Sequence, residues 1–263
     1  MDRKRRAAAR YDDMARTYDR AGPPFYALAG AALVRRLGLA AGMSVLDAGC
    51  GRGACLFPLA GAVGPTGRAA GVDISPVMVR ETAAEAAGLG LTQATVTVGD
   101  AEAPDFPDAS FDAVTSSFVL PQLPDPQAAL HAYARLLRPG GMLAVARFVP
   151  GFHPDWQAVD AALEPFAPAA RPSDDVDPPS LAAAAGFREV TDEELAVLVT
   201  LPDPASWWDY LWGSVYRGRV ADIPDADLPA ARAATLAATE PLRAEDGTLT
   251  MSIRFRCTTA TRP

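Results

Sequence analysis

Three acidic residues, each at the end of a short apolar run, carry the first chemistry legible in this chain. Asp47 stands two residues before the glycines of Gly49-Cys50-Gly51-Arg52-Gly53, Asp73 closes Gly71-Val72-Asp73, and Asp100 closes Val98-Gly99-Asp100. Glycines at alternate positions let a backbone turn sharply and approach a ligand, because no Cβ blocks the way. The Asp73 carboxylate can accept both hydroxyls of a ribose, and Asp100 with the apolar Phe118-Val119-Leu120 suits an adenine. The charge on Asp47 disfavours a nearby pyrophosphate and suits a cation. The combination points to a positively charged, nucleotide-like ligand.

Taken alone, Gly49, Gly51 and Ala54 also satisfy the dinucleotide pattern G-x-G-x-x-G/A with Asp73 as the ribose acid, so an NAD-type ligand stays open on that motif. Lys4 is the only lysine and falls in Arg3-Lys4-Arg5-Arg6, a stretch that reads as a solvated, frayed terminus. A Schiff base and a phosphate-loop lysine therefore have no donor. Cys50, Cys55 and Cys257 form neither a disulfide framework nor a zinc spacing, Cys50 reads as a small turn residue, and no metal is expected. Of two histidines, His131 falls on a predicted helix remote from the strand ends. His153 follows the fifth predicted strand and is the candidate general base, its alternative being a plain loop residue beside Pro154. Gln122 could orient an acceptor through its amide.

Strands are predicted near 43–48, 68–73, 94–99, 111–117 and 142–148, with helices near 53–62, 76–88 and 126–137. Ser75 is a helix cap and Pro76 occupies the first helical position. Leu195–Leu201 reads as a sixth strand, and Thr248–Thr258 as a seventh that turns Leu249, Met251, Ile253, Phe255 and Cys257 inward. Ahead of these lies a helical segment from Tyr11 to Leu37, divided by Pro23-Pro24. Tyr11 and Tyr18 share one face of it, either as core anchors or closing over a cofactor.

The ordered set D-x-G-x-G-x-G, G-V-D-I-S, G-D-A, F-D-A-V and L-L-R-P-G-G resembles the class I S-adenosylmethionine-dependent methyltransferases, in particular small-molecule enzymes of the ubiquinone and menaquinone type. The resemblance covers roughly residues 11–148. It implies an α/β, Rossmann-like, seven-stranded and mostly parallel sheet with helices on both faces, whose seventh strand inserts antiparallel between the fifth and sixth. It also implies S-adenosyl-L-methionine as cofactor and S-adenosyl-L-homocysteine as product. The cofactor contacts carried over are Tyr11, Tyr18, Asp47, Gly49, Cys50, Gly51, Asp73, Ile74, Ser75, Met78, Asp100, Ala101, Ser117 and Phe118. Where many relatives have a histidine pair after the fourth strand, this chain has Pro121-Gln122-Leu123-Pro124-Asp125-Pro126, with no base.

At 263 residues and 49% hydrophobic content the chain is expected to form one methyltransferase domain. Its parts are an N-terminal helical cap (1–40), a cofactor-binding core (41–148), substrate or lid insertions (149–180 and 202–241) and a final strand (242–263). The insertions should hold the acceptor, through Phe25 of the cap, Gln122, His153, Trp156 and the aromatic run containing Trp207, Trp208 and Trp212. At helical spacing Trp208, Leu211 and Trp212 share a face while Trp207 and Tyr210 point elsewhere, so the run reads either as a wall of the acceptor site or as a lid helix packed on the core. A net charge of −8 argues against nucleic acid as partner. No signal peptide or membrane-length apolar run is read, so a cytoplasmic protein is expected, monomer or homodimer. The expected activity is methyl transfer to a hydrophobic or aromatic small molecule of secondary metabolism. The alternatives are a non-methylating, cofactor-binding cyclase or rearrangement enzyme, and an NAD-binding dehydrogenase.

Overall fold

The computed structural model describes residues 3–20, 22–148, 157–167, 176–214 and 216–263. Helices α1 (Arg3–Met14) and α2 (Phe25–Val34) precede a core of β1 (Ser44–Ala48), α3 (Leu56–Val63), β2 (Arg68–Asp73), α4 (Pro76–Gly88) and β3 (Ala94–Val98). It continues through β4 (Phe111–Ser117), α5 (Pro126–Leu136) and β5 (Leu137–Phe148). Then come α6 (Gln157–Leu163), α7 (Pro178–Ala184), β6 (Arg188–Leu201), α8 (Ala205–Gly213), α9 (Arg217–Ala221), α10 (Leu228–Thr239) and β7 (Leu249–Thr261).

The seven strands form one sheet in the order β3-β2-β1-β4-β5-β7-β6. Strands β1 to β5 pair in parallel, and β7 runs antiparallel to both β5 and β6. This is the expected Rossmann-like α/β sheet. The order reverses between β1 and β4, and a crevice opens above their carboxyl ends, where open α/β sheets take ligands. Alternation in β1 explains the two cores: Val45 joins the cluster of Leu33, Leu56 and Leu59, and Leu46 the cluster of Leu130 and Tyr133. In β7 the inward residues Leu249, Met251, Ile253, Phe255 and Cys257 are at most 1% exposed, as their alternation predicts.

Two expectations need correction. The fifth strand takes in Arg138-Pro139-Gly140-Gly141 and starts at Leu137, because Leu137 pairs with Phe111 ahead of a register shift. The basic stretch at Arg3–Arg6 is not frayed: it is the first turn of α1, pinned when Lys4 Nζ meets Asp100 Oδ2 at 2.6 Å and Glu102 Oε1 at 2.8 Å. Such pairing across about a hundred positions leaves no local trace in a sequence.

Candidate active site

The glycine turn after β1 is tied to the tip of β2. Gly49 N and Cys50 N both donate to Val72 O, at 2.8 and 2.9 Å. Gly49 takes φ +81°, and a Cβ there would meet Val119 Cγ2 at 2.5 Å, so this position requires glycine on both counts. Gly51 takes φ +47° with open space where a Cβ would stand, and its N–H donates to Asp73 Oδ2 at 2.8 Å.

The three acids now have distinct surroundings. Asp73 Oδ1 accepts from Ser75 N at 2.9 Å and Oδ2 from Gly51 N, so both oxygens are oriented and each keeps a further acceptor site. Burial raises its pKa against the pull of those two amides. Asp47 is 2% exposed and accepts from Thr115 Oγ1 at 2.8 Å. Burial pushes its carboxyl up to about 7, opposed by the Thr115 hydroxyl and the Leu56 amide and helped by the nearby charge of Asp73. Among the described residues, no arginine or lysine is paired with Asp47. A buried carboxylate without a counter-ion is costly when ionised, and a cationic ligand would relieve that cost. Asp100 Oδ1 accepts from Glu102 N at 2.9 Å, while its Oδ2 holds Lys4.

A cavity of about 480 Å³ lies between these strand ends and a roof made of α1 and the segment leading to α2. Thirteen of the fourteen carried-over cofactor residues line it: Tyr11, Tyr18, Asp47, Gly49, Cys50, Gly51, Asp73, Ile74, Met78, Asp100, Ala101, Ser117 and Phe118. Ser75 stands behind the wall, fully buried. Its backbone orients Asp73, its hydroxyl accepts from Met78 N to cap α4, and that hydroxyl donates to Asp12 of the roof. Cys50 is buried and its thiol pushed well up by burial and by Asp73 and Asp47, which keeps it protonated in its turn position.

The roof is aromatic on its inner side. Tyr18 stacks on Tyr26 with centroids 5.0 Å apart, and Tyr11 meets Tyr18 edge-on at 6.1 Å. Burial raises all three phenols, so they stand neutral as donors and apolar walls. Opposite them Phe118, at φ +60°, turns its ring against Phe148 at 4.4 Å and Phe25 at 5.5 Å. A bulky residue held in the left-handed region is strained, and such strain gathers at ligand sites.

The acceptor residues read from sequence fare differently. Gln122 lines the cavity, but its amide oxygen accepts from Arg10 at 3.0 Å. Phe25 is a core residue behind Phe118 and is not on the cavity wall. Trp207, Trp208 and Trp212 do not line the cavity either. Trp207 is fully buried with Tyr210 and Leu211 in the core, while Trp208 and Trp212 form a half-buried pair with rings 6.4 Å apart. The reason is the direction of α8: its buried face is the one carrying Trp207, Tyr210 and Leu211. Tyr210 packs where a Cβ on Gly22 would lie 3.0 Å away, and Gly22 is part of the cavity wall, so α8 braces the roof from outside. His153 and Trp156 lie outside the described residues. His131 sits exposed on α5 beside Gln127.

Local sequence reading missed Lys4, Asp19, Arg20, Tyr26, Arg52 and Glu85, all on the cavity wall. Asp19, at φ +55°, accepts from Tyr26 N at 3.0 Å and Ala27 N at 2.9 Å, and burial lifts its carboxyl to about 6. Glu85 collects Arg20 (2.7 Å) and Arg52 (2.8 Å), which ties the roof to the glycine turn and α4. The Tyr18-Asp19 pair at the end of the tyrosine segment was the one available signal.

Comparison with known proteins agrees with this geometry. A family model described as a methyltransferase domain matches residues 45–141. The nocamycin O-methyltransferase of Saccharothrix syringae is 45% identical over 140 residues, covering 53% of this chain and 50% of that protein. The aklanonic acid methyltransferase DauC of Streptomyces sp. (strain C5) is 44% identical over 141 residues, covering 54% and 64%. The matched region thus spans half to about two thirds of the length of these curated relatives. Among solved structures, the YcgJ protein of Bacillus subtilis superposes with a TM-score of 0.59 at 17% identity, over 89% of this chain and 98% of that one, which shows the shared fold.

Proposed function

We propose that this chain, whose residues 45–141 match a methyltransferase-domain family model, is a class I S-adenosylmethionine-dependent methyltransferase that methylates a hydrophobic or aromatic small molecule of secondary metabolism. The observation that carries the reading is Asp47: a buried carboxylate with no paired cation among the described residues, beside an Asp73 whose two oxygens are presented by backbone amides. A cationic nucleoside satisfies both, whereas a pyrophosphate would add negative charge next to Asp47.

The bound cofactor supplies a methyl group on a sulfonium that is already a good leaving group. The chain's own residues then have four tasks. Asp73 and the glycine turn hold the ribose, and Asp47 balances the positive charge. The ring walls of Tyr18, Tyr26 and Phe118 align a flat apolar acceptor and keep water out, which favours an in-line displacement through proximity and desolvation. Asp19, on the cavity wall, is a carboxylate that can take a proton when the acceptor must lose one. The names of the two curated relatives, one an O-methyltransferase and one acting on aklanonic acid, support an acceptor of comparable kind.

The test is incubation of the protein with methyl-labelled S-adenosylmethionine and an extract of small metabolites, followed by chromatography. A labelled small molecule with stoichiometric S-adenosylhomocysteine is expected. A changed acceptor with the cofactor intact would point to rearrangement without methyl transfer, and calorimetric binding of NAD without S-adenosylhomocysteine would overturn the cofactor reading.

A further inference from the structure

We propose that Lys4 latches α1 closed over the adenine end of the cavity, and that adenine opens the latch by taking Asp100 from it. This rests on the S-adenosylmethionine reading of the site. Asp100 has one oxygen on the Glu102 backbone amide and the other on Lys4 Nζ, so the acid suited to an adenine amine already carries a cation from the roof. The exocyclic amine of an incoming adenine brings a second donor to a carboxylate that an ammonium already holds on the cavity wall, and the two positive ends repel each other there.

Three features make this exchange feasible. Lys4 and Asp100 are each about a third exposed, at 30% and 33%, and ion pairs at that exposure are weak enough for a ligand to displace. Lys4 also has a second partner, Glu102, whose other oxygen is fixed by the Asp125 amide at 2.8 Å, so the ammonium keeps a counter-ion after it leaves Asp100. The rest of the roof is fastened elsewhere, by Asp12 on Ser75 and Val77 and by Arg20 on Glu85. The first turn of α1 can therefore shift from Asp100 toward Glu102 while the tyrosines stay over the cavity.

Because Lys4 is the only lysine, protein grown on lysine labelled with 13C at the ε-carbon gives a single side-chain resonance. Saturating S-adenosylhomocysteine should move it to the position it has in the ligand-free Asp100→Asn protein. In Lys4→Met, where adenine has no competitor, calorimetry should show S-adenosylhomocysteine binding roughly two- to fivefold tighter, the range an exposed ion pair commands. If the ligand binds while the resonance stays in place, or if Lys4→Met binds equally or more weakly, the latch is overturned and the cofactor reading stands. If S-adenosylhomocysteine binds neither protein, the cofactor reading fails and the latch with it.

Discussion

The Gly51 amide donates to Asp73 Oδ2 across 2.8 Å, so the turn after the first strand and the acid ending the second are one unit. Ser75 N holds the other oxygen, and the carboxylate is thus aimed before any ligand arrives. Replacing Asp73 with alanine removes both hydroxyl acceptors and leaves Gly51 N without its partner. Affinity for S-adenosylhomocysteine should fall by about 2 to 3 kcal/mol, the scale of hydrogen bonds to charged groups. Isothermal calorimetry reads this directly, and an unchanged Kd would remove Asp73 from the ribose site.

Cofactor affinity should depend on pH through Asp47. Its ionised form receives the cation and its pKa in the free protein is about 7, so binding should strengthen as pH rises from 6 to 8 and flatten above. Thr115→Val, which deletes the hydroxyl that favours the ionised form, should move that midpoint upward, and Asp47→Asn should abolish it. A flat profile from pH 6 to 8 in the unsubstituted protein would exclude Asp47 as the partner of the cation.

Stability of the ligand-free protein should run the opposite way. Asp47 and Asp19 titrate near 7 and 6 when folded against an ordinary 3.8, so between those values the folded chain retains protons that the unfolded chain has lost. Unfolding is then increasingly favoured as pH rises, and these two groups should lower the melting temperature progressively from about pH 4 to pH 7. Thermal melts of Asp47→Asn should lose most of the upper part of that slope.

Phe118 offers a test that separates backbone strain from wall packing. Its φ of +60° is easy for glycine and strained for any other residue. Phe118→Ala should lose both the ring contacts and acceptor turnover, while Phe118→Gly should lose the same contacts but recover about 1 kcal/mol of stability from the relieved strain. Equal denaturation midpoints for the two variants would count against a strained Phe118.

Trp207 and Trp208 should part company. Trp207 is fully buried, so truncation to alanine should cost about 3 to 5 kcal/mol in chemical denaturation. Trp208 is half-buried and off the cavity, and its alanine variant should bind S-adenosylhomocysteine with unchanged affinity. A large loss of cofactor binding in the Trp208 variant would contradict the placement of α8 behind the roof.

What the sequence determined by itself is the cofactor half. Strand period, glycine spacing and the acids Asp47, Asp73 and Asp100 are local patterns, because a strand, its turn and the next helix cap are built from consecutive residues; all three acids line the cavity where the motifs put them. Tertiary structure decided the roof and the acceptor wall. Lys4 looked like a loose terminal cation because its partners stand 96 and 98 positions away. Whether the tryptophan run was a pocket wall or a core-packing helix stayed open in the sequence, because helical spacing gives the residues that share a face but not the direction in which that face points. That direction was set by where α8 could bury Trp207, Tyr210 and Leu211 in the core and against the roof, a packing outcome that depends on the whole chain.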